Sequence, residues 1–272
     1  KEHKRTSVVF LQSCVLPRAL FSPQDALYCA RFIEKLNRMK TPCFSMVLCY
    51  DQCAKFMAAL LPHCTPTEAA NAGTFMAEIL TQVEQWRGNE NLYKVDCASS
   101  PGFSLSISAS KGDQLAWDKF KRMCHKWQNV LLKQVKGMVS SGDPHKLTNA
   151  LAFLEKTAPA PFPKIRKIAQ VLKNALRAEL SKTQNPVLKP ALSKCLQAME
   201  AVDDKSLVAD MDAYLGIVSA PVKPSPSQAS GPRPGRAGSR GRGSRESSPA
   251  RGGAREPHRG EREWERAPPP HP

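Results

Sequence analysis

This 272-residue sequence lacks the motifs that usually carry chemistry. It has no Gly-x-Ser-x-Gly elbow, no His-Glu-x-x-His, no phosphate-binding loop and no glycine-rich nucleotide fingerprint. There is no Cys-x-x-Cys pair, the tight spacing that structural zinc sites usually show. Its nine cysteines are an odd number, scattered along helical stretches, which fits a reducing compartment better than a secreted disulfide framework. No run of about 18 apolar residues is present, so no membrane-crossing helix is expected. Lys1, Lys4 and Arg5 precede Val8–Leu11, but Gln12 and Ser13 break the apolar run, and a signal peptide is not read there. Acidic residues are scarce, 24 against 40 Lys+Arg, and a net charge of +16 suits a polyanionic partner. Strand-like alternation occurs only around residues 103–108, which weighs against a β-sheet. These absences point away from an enzyme, and no metal, cofactor, membrane or small-molecule substrate is expected.

What is present is helix. Ser22-Pro23-Gln24-Asp25 is a helix start: the serine caps, the proline suits the first turn, and the aspartate meets the positive end of the dipole. The helix it opens spaces Ala26, Cys29, Ala30, Phe32, Ile33 and Leu36 along one face and ends at Lys40-Thr41-Pro42. A second helix is expected from about Phe44 to Leu61, stopped by Pro62. Thr65-Pro66-Thr67-Glu68 forms a capping box ahead of a helix carrying Phe75, Ile79, Val83 and Trp86 and ending near Gly88. Residues 89–112 lose this periodicity and read as a loop with a short extended piece. The longest helix is predicted to begin near Asp113, with Trp117, Phe120, Cys124, Trp127, Leu131, Val135 and Met138 as one apolar stripe. Gly142-Asp143-Pro144 starts the next, and Ala158–Pro163 is a stiff connector. Ile165, Ile168, Leu172, Leu176 and Leu180 mark a further helix, and two shorter ones follow near 187–200 and 203–217. The fold class is therefore all-α, an α-solenoid-like array or a bundle.

Composition changes at Pro221. The last 52 residues hold 11 Pro and 8 Gly, with Val222 and Trp264 as the only large apolar side chains. Such a segment cannot bury enough apolar surface to offset its ordering entropy, so 1–220 is read as a helical domain and 221–272 as a disordered basic tail. The sequence starts at Lys1 without an initiator methionine and is read as a piece of a longer protein.

Two sets of basic residues are candidates for phosphate contact. On the helices these are Lys119, Lys121, Arg122, Lys126, Lys133 and Lys136, with Lys164, Arg166, Lys167, Lys173 and Arg177. In the tail they are Arg240 and Arg242 of an Arg-Gly-Arg-Gly string, with Arg251 and Arg255 nearby. Both sets suit RNA or single-stranded DNA, and on the helices an ordinary solvated face is the plain alternative. Cys43, Cys49, Cys53, Cys64 and His63 raise a metal site, but core cysteines explain them better. Cys124 lies on the apolar stripe and is expected to be buried, and adjacent His125 points elsewhere on the helix.

Several strings resemble the C-terminal domain of the THO complex subunit 2 family. They are Leu16–Phe32 (Leu-Pro-Arg-Ala-Leu-Phe-Ser-Pro-Gln-Asp-Ala-Leu-Tyr-Cys-Ala-Arg-Phe), Lys40-Thr41-Pro42-Cys43-Phe44-Ser45 and Cys49-Tyr50-Asp51. Further on come Thr65–Ala69, Trp86, Cys97 with Pro101-Gly102-Phe103, Asp113-Gln114-Leu115 and His125-Lys126-Trp127. The likeness is clearest over residues 8–180. It implies a helical scaffold of the nuclear THO/TREX assembly, which couples transcription to mRNA packaging and export and limits RNA–DNA hybrids. The partners it implies are other THO subunits, a DEAD-box RNA helicase and an export adaptor. No catalytic residue transfers. The family pattern places Asn where Cys43 stands and Arg where Gln52 stands, and likeness fades after about residue 183. A helical protein–protein adaptor that binds no nucleic acid is the alternative.

Overall fold

The computed structural model describes residues 2–104, 114–159, 162–202 and 206–216, with side chains from Thr6 onward. All of them fall within one compact unit, Lys1–Val222. The tail from 221, with its arginines, lies outside the described residues.

Helices start where the sequence supplies caps. In α3 (Pro23–Arg38) the Ser22 hydroxyl accepts from the Asp25 amide at 3.1 Å. In α4 (Met46–Leu60) Ser45 does the same for Leu48. In α5 (Pro66–Gly88) both halves of the Thr65–Glu68 box form. Asp143 caps α8 (Pro144–Thr157). Such caps satisfy amides that have no partner inside the helix, each contributing about 1 kcal/mol. At the far end of α3, Lys40 takes a left-handed φ of 52° and the Thr41 amide reaches back to the Leu36 carbonyl. That turn leads to Cys43, also left-handed at φ 60°.

The remaining helices are α7 (Trp117–Val139), α9 (Arg166–Lys182), α10 (Leu188–Glu200) and the short α11 (Met211–Leu215). The stripe read on α7 is buried from Phe120 to Met138, with Trp117 half-buried, and that of α9 is buried from Ile165 to Leu176.

Three expectations need correction, and one stretch drew no helix reading from the sequence. Residues 2–19 are helical: α1 (Glu2–Phe10), a π-helical turn (Leu11–Val15) and α2 (Leu16–Ala19). The π-turn shifts the helical phase, so the apolar residues on either side do not share one 3.6-residue period. The region after Gly88 is not all loop, because Asn89 caps α6 (Glu90–Asp96) by accepting from the Leu92 amide. Residues 105–113 lie outside the described residues, and α7 begins at Trp117, four residues later than expected. On α3 the buried face is rotated: Phe32 remains 38% exposed, while Asn37 is buried and accepts from the Ser100 hydroxyl at 2.6 Å.

Packing distinguishes a bundle from a solenoid. α5 lies against α3 and α8, and α4 lies against α7, pairings that skip along the chain. In a solenoid each unit touches only its neighbours. Gly73 permits the α5–α8 approach: a Cβ there would come within 2.9 Å of the Phe153 carbonyl oxygen. Among the described residues there is no β-strand, only two isolated bridges. The core between α4, α5, α6 and α7 is aromatic: Tyr50, Trp86, Tyr93, Phe103, Phe120 and Trp127 pack with ring centroids 5.0–6.5 Å apart. Trp86, Tyr93 and Trp127 each place their polar edge on a partner, as when the Tyr93 hydroxyl donates to the Leu115 carbonyl at 2.6 Å.

A basic ridge on α7 as candidate nucleic-acid interface

At about 100° per residue, Lys119, Arg122, Lys126, Lys133 and Lys136 fall within an arc of roughly 100° on α7. All five are exposed. The buried stripe occupies the other side of the helix, with Leu131 and Cys124 near its centre. The same 3–4 spacing thus sets an aromatic face in the core and a row of cations in solvent. Among the described residues, no ion pair holds Lys119, Arg122, Lys133 or Lys136.

Lys121 does not belong to this row. Its side chain is 5% exposed, its Nζ lies 3.9 Å from the Trp117 ring centroid and donates to Asp118 at 2.8 Å. One position after Phe120, it sits on the buried side, where its methylene stem covers indole. Lys173 is likewise no part of an open face: it is 9% exposed at the shoulder between Leu172 and Leu176.

The remaining candidates lie on or just before α9. Lys164 is half-buried, and its amide donates to Gln128, a buried residue of α7 well outside the ridge's arc. Arg166 and Lys167 are exposed at the start of α9, and Arg177 pairs with Glu200 at 2.5 Å. The structure therefore places one coherent row of candidates on α7 and leaves Lys121 and Lys173 off any open face. Arg240, Arg242, Arg251 and Arg255 lie outside the described residues.

The ridge is braced by α4. Asp51, buried between the helices, accepts from Trp127 Nε1 at 3.1 Å, Lys126 Nζ at 3.1 Å and Lys55 Nζ at 2.6 Å. Burial pushes its carboxyl up, but the hydrogen bonds from Lys55, Lys126 and Trp127 outweigh that and hold it below the usual carboxylate range. Lys55 was not singled out from sequence, and Asp51 only as part of the Cys49-Tyr50-Asp51 string. The contact to Lys126 spans 75 positions, and no local spacing rule reaches that far.

On the other flank, α11 folds back onto α7. Tyr214 is buried beneath the Arg87 guanidinium, 4.2 Å from its ring centroid, and lies 6.1 Å from the His125 ring. Arg87 also donates to the Tyr214 carbonyl at 2.9 Å and is ion-paired with Glu84. Burial lowers the His125 pKa.

Seven of the nine thiols are core residues, and Cys43, expected among them, is not. Cys49, Cys53, Cys64 and Cys124 are buried, and burial pushes the Cys64 thiol up to about 11. Raised values suppress the reactive thiolate. Cys14 and Cys43 are exposed. Among the described residues, no group of three His, Cys, Asp or Glu is placed to hold a metal. No helix among them is long and apolar enough to cross a membrane.

Comparison with known proteins fits this architecture. The family model described as transcription factor/nuclear export subunit protein 2 matches residues 1–199. THO complex subunit 2 of Homo sapiens is 35% identical over 173 residues, covering 61% of this chain and 11% of the human protein. The Arabidopsis thaliana protein of that name is 29% identical over 164 residues, 60% of this chain and 9% of its own length. That of Saccharomyces cerevisiae is 25% identical over 193 residues, 71% of this chain and 10% of its own. The chain thus spans about a tenth of the length of these relatives.

Proposed function

The chain belongs to the transcription factor/nuclear export subunit protein 2 family, and from that membership we propose that it is a non-enzymatic scaffold segment of a THO complex in the nucleus. In this reading residues 1–220 are a helical domain that holds other THO subunits, a DEAD-box RNA helicase and an export adaptor. The assembly couples transcription to mRNA packaging and export. The α7 ridge and the basic tail from 221 supply auxiliary contact to RNA or single-stranded DNA. Support for nucleic-acid contact comes from one observation above the others: five exposed cations share one face of a helix whose opposite face is locked into the core.

Flexible single strands with mobile phosphates suit such a row, because lysines spaced along a helix offer charge without reading base edges. The test is binding of a fluorescent oligo-uridylate to the chain across a salt series. Log affinity should fall linearly with log salt, by about 0.7 for each phosphate neutralised. A flat response would remove nucleic acid from the proposal. Capture from nuclease-treated nuclear extract tests the scaffold half: THO subunits should be recovered without RNA bridging, and their absence would overturn it.

A protein-only adaptor is the second reading. It is favoured by the outer face of α3, where Tyr28 and Phe32 stack 6.0 Å apart in partial exposure. Charge reversal at Lys119, Lys133 and Lys136, combined with Arg240, Arg242, Arg251 and Arg255, separates the two. RNA binding collapses under the first reading, whereas the second predicts no specific RNA binding to lose.

A further inference from the structure

The brace beside the ridge has the form of a ligand clamp. Lys55 from α4 and Lys126 from α7 converge on opposite oxygens of one carboxylate, Asp51 Oδ2 at 2.6 Å and Oδ1 at 3.1 Å. The carboxylate side chain is only 11% exposed, yet the two lysine side chains are 44% and 54% exposed. Trp127 Nε1 fixes the carboxylate from below at 3.1 Å. Asp51 is therefore an internal counter-ion that orients two ammonium groups outward and cancels only one of their two charges.

Each ammonium carries three donors, and the bond to Asp51 uses one. With side chains about half exposed, both lysines keep donors open to solvent. Because both ammoniums are bonded to one carboxylate they are close neighbours, and a single phosphate diester placed between them meets both. Their side chains are already restrained, so less rotamer entropy is lost on binding than at a free surface lysine.

We infer that Lys55 and Lys126, oriented by Asp51, form a two-lysine clamp for a backbone phosphate of single-stranded nucleic acid, extending the α7 ridge onto α4. This rests on the ridge being the nucleic-acid face. The clamp adds Lys55 as a binding residue and Asp51 as a positioning residue.

The experiment measures oligo-uridylate affinity and salt slope for the whole chain, with Arg240, Arg242, Arg251 and Arg255 changed to Gln so that the body is read. Lys55→Gln should weaken binding several-fold and reduce the salt slope by about 0.7, the loss of one phosphate contact. Lys94→Gln, at an exposed lysine paired with Glu90 on α6, is the control and should change neither.

Asp51→Asn discriminates further. It raises net charge by one, so unspecific attraction predicts tighter binding. The clamp predicts several-fold weaker binding, because the lysines lose their shared anchor. If Asp51→Asn unfolds the chain, the Lys55→Gln, Lys126→Gln cycle decides: the double variant should lose less than the two single losses combined, since one phosphate is shared. Additive losses, or no loss at Lys55, would overturn the clamp. If Lys119→Glu with Lys133→Glu still abolishes binding, the ridge survives that failure. If ridge reversal also has no effect, the ridge reading falls with the clamp.

Discussion

α3 and α7 are both two-faced helices, and they expose opposite chemistry. On α3 the outward arginines are tied down: Arg31 to Glu78 at 2.9 Å, Arg38 to Glu34 at 2.6 Å, and Arg18, ahead of it, to Asp25 at 2.8 Å. What α3 leaves available is aromatic, Tyr28 at 50% exposure with Phe32 beside it. On α7, Lys119, Arg122, Lys133 and Lys136 have no ion pair among the described residues, and the aromatics are withdrawn into the core. One helix neutralises its charge and shows rings, while the other buries its rings and shows charge. Amphipathicity alone therefore says little about function. The sign and pairing of the outer face decide which partner a helix suits.

Breaking the inner face of α7 should have the largest effect. Trp127→Ala removes a fully packed ring and one of the three donors to Asp51, and should cost about 3–5 kcal/mol in urea unfolding. Phe32→Ser on α3, half outside the core, should cost about 1 kcal/mol or less in the same measurement. Equal losses would erase the distinction between the two helices.

Next comes binding. Lys119→Glu, Lys133→Glu and Lys136→Glu together should reduce oligo-uridylate affinity at least about tenfold at moderate salt, with little change in Tm. Lys35→Glu and Arg38→Glu on α3 should leave affinity within about twofold, since those residues lie on the other kind of face.

A smaller effect depends on pH. His125 titrates below its ordinary value in the folded state because burial penalises its charged form. Between that lowered pKa and about 6.5 the unfolded chain binds the extra proton, so stability is lost as pH falls below about 6.5. Melting curves from pH 7 to about pH 5 should show a decline that His125→Gln reduces. Asp51 acts lower. Its folded pKa is depressed, so its contribution is present above about pH 4 and is lost as pH falls through the folded value.

The smallest expected change is a gain. Cys43 sits at φ 60°, a left-handed conformation that a side chain with Cβ resists and that asparagine tolerates better. Cys43→Asn, the residue that the family pattern favours there, should stabilise by about 0.5 kcal/mol, read as a shift in denaturant midpoint.

Much of this fold was legible because its helices carry their own signals. Ser22-Pro23, the Thr65–Glu68 box and Asp143-Pro144 each predicted a start that the structure reproduces within a residue. The α7 ridge and stripe were legible for the same reason, since both follow from 3–4 spacing. What escaped notice lacked a regular period or a near neighbour. The π-turn at Leu11–Val15 breaks the helical phase, and α6 is too short for a face to show. Lys121 and Lys173 lie one position from apolar anchors, so a small rotation took them from solvent to the interior. Lys55 was overlooked because its tie to α7 runs only through Asp51, which meets a helix far along the chain.

The contact between Arg87 and Tyr214 has a temporal consequence. The two residues are 127 positions apart, yet the guanidinium at the end of α5 meets both the ring and the carbonyl of Tyr214. A ribosome delivers α5 long before α11. Throughout that interval the flank of α5 and α7 around Cys124 and His125 has no cover, and this side of the core cannot close until residue 216 has emerged. Contacts of such long sequence separation form late and leave apolar surface open in the meantime. The last described helix therefore sets when the nascent domain becomes complete, and a chain halted ahead of it would present that flank to chaperones.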